Sequence, residues 1–270
     1  IYGIPGFKLE KDIVERREKL LRDGGVTFHL NVDIGGDTSF AELREKHDAV
    51  LIATGVYKAR DLNIDGAERD GVIPALDFLT ASNRLGMGDD LSSDETDRYF
   101  AEGRRVVVIG GGDTAMDCVR TAIRQKAASV SCLYRRDRAN MPGSAREVMN
   151  AEEEGVNFEW LTMPEGFEGG DAVEAVRCSK IHLGQPDATG RRVPEPIPGS
   201  SYFKEADLVI KALGFDPEDL PSAFNEPRLK VSRWGTININ WQSMMTSLDG
   251  VFAAGDIVRG ASLVVWAVRD

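Results

Sequence analysis

Four β-branched residues, Val106 to Ile109, run directly into Gly110, Gly111, Gly112, Asp113, Thr114 and Ala115, and no other stretch constrains the fold as tightly. Strand, glycine turn and helix in that order are the context that gives a G-x-G-x-x-A pattern its meaning. Downstream, Asp113 to Gln125 sets Ala115, Met116, Val119, Ala122 and Ile123 on one helical stripe. Gly110 permits the tight turn, Gly112 lets backbone approach a pyrophosphate, and Ala115 keeps the helix close to the sheet. Backbone N–H groups at the helix start, with the helix macrodipole behind them, favour an anion there. A glycine turn that only reverses the chain is the simpler alternative. The flanking strand and helix, and a second strand at Val130 to Tyr134, argue instead for dinucleotide binding.

That second strand ends in Arg135, Arg136, Asp137 and Arg138. Arg135 lies about 25 positions after Gly110, near the roughly 20-residue offset at which an acid grips the ribose 2′-hydroxyl of NAD. Arginines stand there instead, and a planar fork of donors matches a 2′-phosphate that a carboxylate would repel. NADP is therefore favoured over NAD. Asp137 remains able to take the acid's place if the turn is registered differently, and a solvated basic turn is the plain alternative.

The rest of the chain repeats the strand and helix theme. Apolar runs at Val26 to Asn31, Ala49 to Ala53, Val156 to Leu161, Leu208 to Ala212 and Val251 to Ala254 read as further strands. Continuous rather than alternating apolarity implies strands buried on both faces, so the class is α/β with parallel sheets. A helix is expected over Lys8 to Arg22, and another after Ser144, where Ser144 and Glu147 form a capping box and Gly155 closes the helix. Gly86 to Glu102 and Gln185 to Ser201 read as surface loops, the first acidic and Gly/Ser-rich, the second dense in Pro and Gly.

Composition narrows the function classes. With 42% hydrophobic and 29% charged residues, the 270-residue chain is an ordinary globular one, neither disordered nor fibrous. No apolar run approaches the roughly 18 residues of a spanning helix, and no signal peptide is evident, so a cytoplasmic protein with no membrane partner is expected. A formal charge of −11, with no local block of Lys and Arg, argues against a nucleic-acid partner. The three cysteines, Cys118, Cys132 and Cys178, are far apart and form no Cys-x-x-Cys pair, so reduced thiols are expected. No metal site is expected.

Near the C-terminal end, Thr246 to Asp256 forms a second constellation. A short strand reaches Gly255, which has no side chain to block a ligand, and Asp256 then offers a carboxylate that can accept hydrogen bonds from a polyol. Gly260, Ala261 and Ser262 open a further apolar helix whose N-terminus suits an anion. Taken alone, a strand turn with a capping aspartate is the simpler reading. Ala53, Thr54, Gly55 and Ala212, Leu213, Gly214 each follow an apolar strand in the same way, an echo that suggests two nucleotide-binding units on one plan.

Gly110 to Asp117, the triplet Tyr134, Arg135, Arg136, then Met141, Pro142 and the ending Ala253 to Asp256 resemble the small (beta) subunits of bacterial glutamate synthases. The N-terminal region of dihydropyrimidine dehydrogenase shares the same plan. The resemblance runs from Tyr2 to Trp266. Thr246 with Ala253, Gly255 and Asp256 is similar to the second FAD fingerprint of this fold, and Ala53, Thr54, Gly55 looks like its other FAD-side turn. The resemblance implies a two-dinucleotide-binding-domain flavoprotein fold with parallel Rossmann-like sheets. An NADPH-binding domain at 59–215 would be inserted into an FAD-binding domain made of 1–58 and 216–270. It implies that NADPH gives a hydride to FAD and that electrons pass through iron-sulfur clusters to a large subunit that forms glutamate.

In that family the first FAD motif and the cluster-ligating cysteines lie N-terminal to the region matching Ile1. The FAD domain therefore reads as incomplete, clusters are expected only outside this sequence, and the chain alone is expected to be inactive and to hold little or no FAD. An NADP-binding module without catalysis of its own, or a related NADPH-dependent iron-sulfur or ferredoxin reductase, are the alternatives. A thioredoxin-reductase-like enzyme would need the absent cysteine pair. Since the cofactors carry hydride transfer, no acid, base or nucleophile is nominated.

Overall fold

The computed structural model describes residues 1–186 and 192–270. The chain begins with helices α1 (Lys11–Asp23) and α2 (Phe40–Lys46) and short strands β1 (Val50–Ile52), β2 (Lys58–Ala59) and β3 (Val72–Pro74). Helices α3 (Ala75–Gly86) and α4 (Ser93–Tyr99) lead to β4 (Arg105–Ile109), α5 (Asp113–Arg124) and β5 (Ser129–Tyr134). A 3₁₀ turn at Arg138–Asn140 and α6 (Ala145–Glu153) precede β6 (Asn157–Trp160), β7 (Thr162–Glu168), β8 (Ala175–Pro186), β9 (Arg192–Pro196), β10 (Tyr202–Glu205) and β11 (Leu208–Lys211). Then come β12 (Phe215–Asp216), α7 (Leu220–Ala223), β13 (Val251–Ala253), α8 (Asp256–Arg259) and α9 (Val264–Arg269).

The chain divides into two compact units, Ile1–Leu20 with Asp61–Leu213, and Leu21–Arg60 with Gly214–Asp270. In the first, five parallel strands lie in the order β3, β11, β4, β5, β6. The continuous apolarity of β4 is explained by what covers each face. Val106 and Val108 pack with Phe78 and Leu79 of α3, Met116 and Val119 of α5 and Val148 of α6. Val107 and Ile109 point the other way, onto Phe167 of β7, Val176 and Cys178 of β8, and Val173. That second cover is an antiparallel sheet in the order β10, β8, β7, with β9 paired to β8. In the second unit β1 pairs parallel with β13, Val50 opposite Val251 and Ile52 opposite Ala253. Its core gathers Ile52, Leu229, Ile237, Val251 and Ile257, with the Phe40 ring stacked on Phe224 at 4.6 Å.

Several expectations are corrected. Val26 to Asn31 is not a strand; Val26 and Leu30 stand in solvent, 46% and 71% exposed, with no neighbouring strand to share their backbone bonds. The Gly86 to Glu102 stretch contains α4, started by a capping box in which the Glu95 N–H donates to Ser92 Oγ and the Ser92 N–H to Glu95. Part of the Gln185 to Ser201 stretch is likewise not loop. Residues 187–191 lie outside the described residues, but Arg192–Pro196 form β9, with Pro194 and Pro196 on a strand paired to β8 alone, where prolines are tolerated.

The capping box read at Ser144 and Glu147 does not form. Glu147 is taken by Lys8 (2.8 Å) and Arg120 (2.7 Å), while the Ser144 N–H donates to Asp113 Oδ1 (3.0 Å). Lys8, read as helical, precedes α1 and also pairs with Asp117 of α5. The Phe7 ring lies beneath the guanidinium carbons of Arg120 and Arg124, at 4.8 and 3.9 Å. Both arginines bond Glu154, at 2.8 and 2.6 Å, and hold its carboxyl near pKa 2, well below the usual range. These contacts place the first twenty residues with Asp61–Leu213, where the sequence grouped residues 1–58 with the C-terminal segment.

The two serines make a test. Ser92→Ala removes a working cap and should cost about 0.5–2 kcal/mol in urea unfolding. Ser144→Ala removes no cap, and a loss comparable to that of Ser92→Ala would contradict the observed start of α6.

Candidate functional site

The parallel sheet of the first unit delivers the glycine turn at the carboxyl end of its middle strand, where open α/β sheets characteristically bind ligands. The three glycines there differ in what a side chain would meet. Gly110 has φ +144° and a Cβ on it would sit 2.1 Å from the Ala212 carbonyl oxygen. On Gly111 it would sit 2.4 Å from the Tyr134 ring. Gly112 has an ordinary φ of −89°, and a Cβ there would meet nothing within 4 Å. The fold therefore explains the first two glycines and leaves the third facing open space.

Around that space the backbone offers donors. The Gly112 carbonyl accepts from the N–H groups of Ala115 and Met116, at 3.0 and 3.2 Å. Among the described residues the N–H groups of Gly112, Asp113 and Thr114 have no acceptor, so the positive end of the twelve-residue helix α5 is unsatisfied. Residues Met141 to Gly143 close one side as a strap. The Gly143 N–H donates to the Gly111 carbonyl at 2.9 Å, and a Cβ on Gly143 would press on that same oxygen at 3.0 Å. The sequence reading missed Gly143; its signal was the Pro142, Gly143 pair.

The structure brings Arg135 and Arg136 to the end of β5, the strand next to β4. Arg135 is exposed and forms no hydrogen bond or ion pair among the described residues. Arg136 donates from Nε to the Arg192 carbonyl at 3.4 Å. The nearby acids are engaged elsewhere. Asp137 Oδ1 accepts from the N–H and side-chain amide of Asn140, at 3.0 and 2.6 Å, and caps the 3₁₀ turn. Glu152 binds Arg138 through both oxygens, at 2.8 and 2.7 Å. One oxygen of the carboxylate that would have suited a ribose hydroxyl is thus engaged by its own turn.

In the second unit the turns Ala53, Thr54, Gly55 and Ala254, Gly255, Asp256 follow paired parallel strands, so they lie side by side. Gly255 has φ +76°, and its N–H donates to Asp270 Oδ2 at 3.0 Å. Asp256 accepts from Ser262 Oγ at 3.0 Å. Two details differ from expectation: the strand stops at Ala253, and Gly260, Ala261 and Ser262 lie between α8 and α9, because α8 intervenes. The Gly214 carbonyl accepts the Arg60 N–H at 3.0 Å ahead of β12.

The cysteines are buried and unpaired. Burial pushes the thiols of Cys132 and Cys178 up to about 12 and raises Cys118 as well. The Cys132 thiol donates to the Gly110 carbonyl at 3.3 Å, directly under the turn. Among the described residues no group of three or more His, Cys, Asp or Glu is placed to hold a metal ion, and no helix is long and apolar enough to cross a membrane.

Four similarities bear on the chain. Residues 11–270 match the family model described as pyridine nucleotide-disulphide oxidoreductase. The whole chain is 63% identical, over 270 residues, to the glutamate synthase [NADPH] small chain of Azospirillum brasilense, covering 56% of that protein. It is 64% identical, over 269 residues, to a putative glutamate synthase [NADPH] small chain of Cereibacter sphaeroides, covering 64% of it. The chain thus spans between half and two thirds of the length of these relatives. Among solved structures, Mycobacterium tuberculosis FprA in complex with NADPH superposes over 98% of the chain and 70% of its own, with a TM-score of 0.74 at 20% identity, which shows a shared fold.

Two expectations follow from the site itself. Gly110→Ala should lower thermal stability sharply, since its Cβ clashes with backbone, whereas Gly112→Ala should cost no more than about 1 kcal/mol, the penalty of alanine at the N-cap of α5. Equal losses would mean that Gly112 is a structural glycine. A disulfide-exchange reagent at pH 8 should leave all three thiols of the native chain untouched and titrate 3 after denaturation; fast native labelling would contradict the burial described.

Proposed function

The chain belongs to the pyridine nucleotide-disulphide oxidoreductase family, and from that membership we propose that it is the NADPH-oxidising flavoprotein part of a glutamate synthase small chain. On this reading Asp61–Leu213 binds NADPH, while Leu21–Arg60 with Gly214–Asp270 contributes to the FAD side. Reducing equivalents would pass onward to a large subunit that forms glutamate.

The observation that carries the reading is the space at Gly112. A residue with no side chain, no positive φ and no neighbour to exclude one is accounted for by a ligand that the backbone must approach. The free N–H groups of Gly112, Asp113 and Thr114 would hold a pyrophosphate, and the strap at Gly143 fixes the turn from the other side. Arg135 and Arg136 stand one strand away with Asp137 capping the turn through Oδ1, an arrangement that suits a 2′-phosphate better than a free ribose hydroxyl. In the second unit, the adjoining turns at Ala53 to Gly55 and Ala254 to Asp256 lie at the carboxyl ends of two parallel strands and suit a flavin dinucleotide. When bound, nicotinamide and flavin supply the hydride chemistry. The protein contributes position and charge: backbone donors for phosphates, guanidinium groups for coenzyme choice, and the Asp256 carboxylate for hydroxyl groups.

Buried thiols take no part. Disulfide-reducing relatives of this fold need an accessible cysteine pair, and Cys118, Cys132 and Cys178 are separate and enclosed.

Titration calorimetry of the 270-residue chain with NADP⁺ and NAD⁺ tests the reading. Arg135→Ala and Arg136→Ala should each weaken NADP⁺ by about 1.5–3 kcal/mol while leaving NAD⁺ nearly unchanged, because each removes a charged hydrogen bond to the extra phosphate. Gly112→Val should abolish both. Equal losses for the two coenzymes in the arginine variants would refute the assignment.

A further inference from the structure

We propose that Arg192, on the β8–β9 ribbon, is a third guanidinium of the coenzyme site and helps to recognise a phosphate dianion on the ribose. The inference rests on the reading of Arg135 and Arg136 given above and extends it to an element far away in sequence.

The ribbon reaches the end of β5 through one contact. Arg136 Nε donates to the Arg192 carbonyl at 3.4 Å, and the Arg136 carbonyl in turn accepts the Leu161 N–H at 3.1 Å, which fixes the backbone of the arginine turn. The side chain of Arg192 is anchored as well: its Nε donates to the Gly184 carbonyl across the ribbon at 3.1 Å. Both guanidinium groups are therefore held at Nε. Among the described residues neither has an acceptor for its terminal nitrogens, and Arg135 beside them has no partner at all.

With a formal charge of −11 there is no shortage of carboxylates, and several arginines elsewhere are paired with them: Arg105 with Asp207, Arg120 with Glu154, Arg228 with Glu226. Among the described residues, three acids on the same or adjoining elements are engaged with other partners. Asp137 caps its own turn, Glu152 binds Arg138, and Glu195 on β9 pairs with His182 at 2.9 Å. Arg135 and Arg136 adjoin in sequence and the Arg136 side chain touches the Arg192 backbone, so three cationic residues lie on adjoining elements with terminal nitrogens that bond no acid among the described residues, an arrangement that favours an anion able to accept several donors at once. A phosphomonoester, with close to two charges and three terminal oxygens, meets that requirement; a ribose hydroxyl does not.

Calorimetry on the 270-residue chain separates the possibilities, using adenosine 2′,5′-bisphosphate, adenosine 5′-monophosphate, NADP⁺ and NAD⁺ as probes. Arg192→Ala should weaken the bisphosphate and NADP⁺ by about tenfold or more while changing the monophosphate and NAD⁺ less than about twofold, and Arg192→Lys should recover part of the loss. Equal weakening of all four probes would make the ribbon a mere support and overturn the proposal. Unchanged NADP⁺ binding in Arg192→Ala, alongside clear losses in Arg135→Ala and Arg136→Ala, would also overturn it while leaving the arginine turn in place. If those two variants likewise fail to discriminate between coenzymes, it is the coenzyme reading itself that falls.

Discussion

Backbone passes backbone at Gly110, so close to the Ala212 carbonyl that a single added carbon would lie 2.1 Å from it. That approach lets β4 and β11 end together: the Ala212 N–H bonds the Ile109 carbonyl at 2.9 Å, and the Gly110 N–H bonds the Leu133 carbonyl at 3.1 Å on the other flank. With both neighbours tied at the same level, the chain leaving β4 turns directly into α5. The first turn of α5 then projects its unpaired N–H groups over the sheet edge. The packing of Met116 and Val119 beneath fixes the helix axis, so the donors are held by a rigid core rather than by a loop.

Charge is arranged on the same frame with two opposite outcomes. On the outer side of α5, Lys8, Arg120 and Arg124 meet Asp117, Glu147 and Glu154 in a compensated network that joins the N-terminal residues to two helices. At the end of β5 the arginines are left without acids. The first pattern is what stability asks of partly buried charge, since an unpaired ion there would be costly. The second departs from it, and departures from local consistency concentrate at sites that bind something.

How much of this was legible in the sequence depended on whether neighbours or the residues themselves decided the outcome. Val106 to Ile109, the glycine turn and the stripe from Ala115 to Ile123 were readable because apolar contact on both faces of a strand leaves a continuous apolar run and an apolar core on one side of a helix leaves a helical period. The antiparallel sheet was not. Its strands are half-exposed, β9 carries two prolines, and its long partner β8 mixes Arg177, Lys180 and His182 with apolar residues, so no strand stood out there and Gln185 to Ser201 read as loop. Ser144 and Glu147 had the right spacing for a cap, yet Glu147 is claimed by cations at positions 8 and 120, which no local pattern reports. Within the site, the glycines and Arg135 and Arg136 were visible as motif and offset. Gly143 and the engagement of Asp137 were not, because both depend on how the chain folds back over the turn.

The pairing of β1 with β13 sets a condition on the order in which the molecule is assembled. Val50 must find Val251, and closing a loop of roughly 200 residues carries an entropic cost that grows with the logarithm of its length. The first unit shortens that search. Once it is folded, Lys211 Nζ lies 2.6 Å from Asp61 Oδ1, so the two ends of the inserted segment are already together. The effective loop then falls from roughly 200 residues to roughly 50, two halvings worth about 1.2 kcal/mol. The insert thereby acts as a staple for the unit that encloses it, and a chain in which the insert folds slowly should keep β1 and its exposed Leu51 waiting as an unpaired edge, the state most open to aggregation.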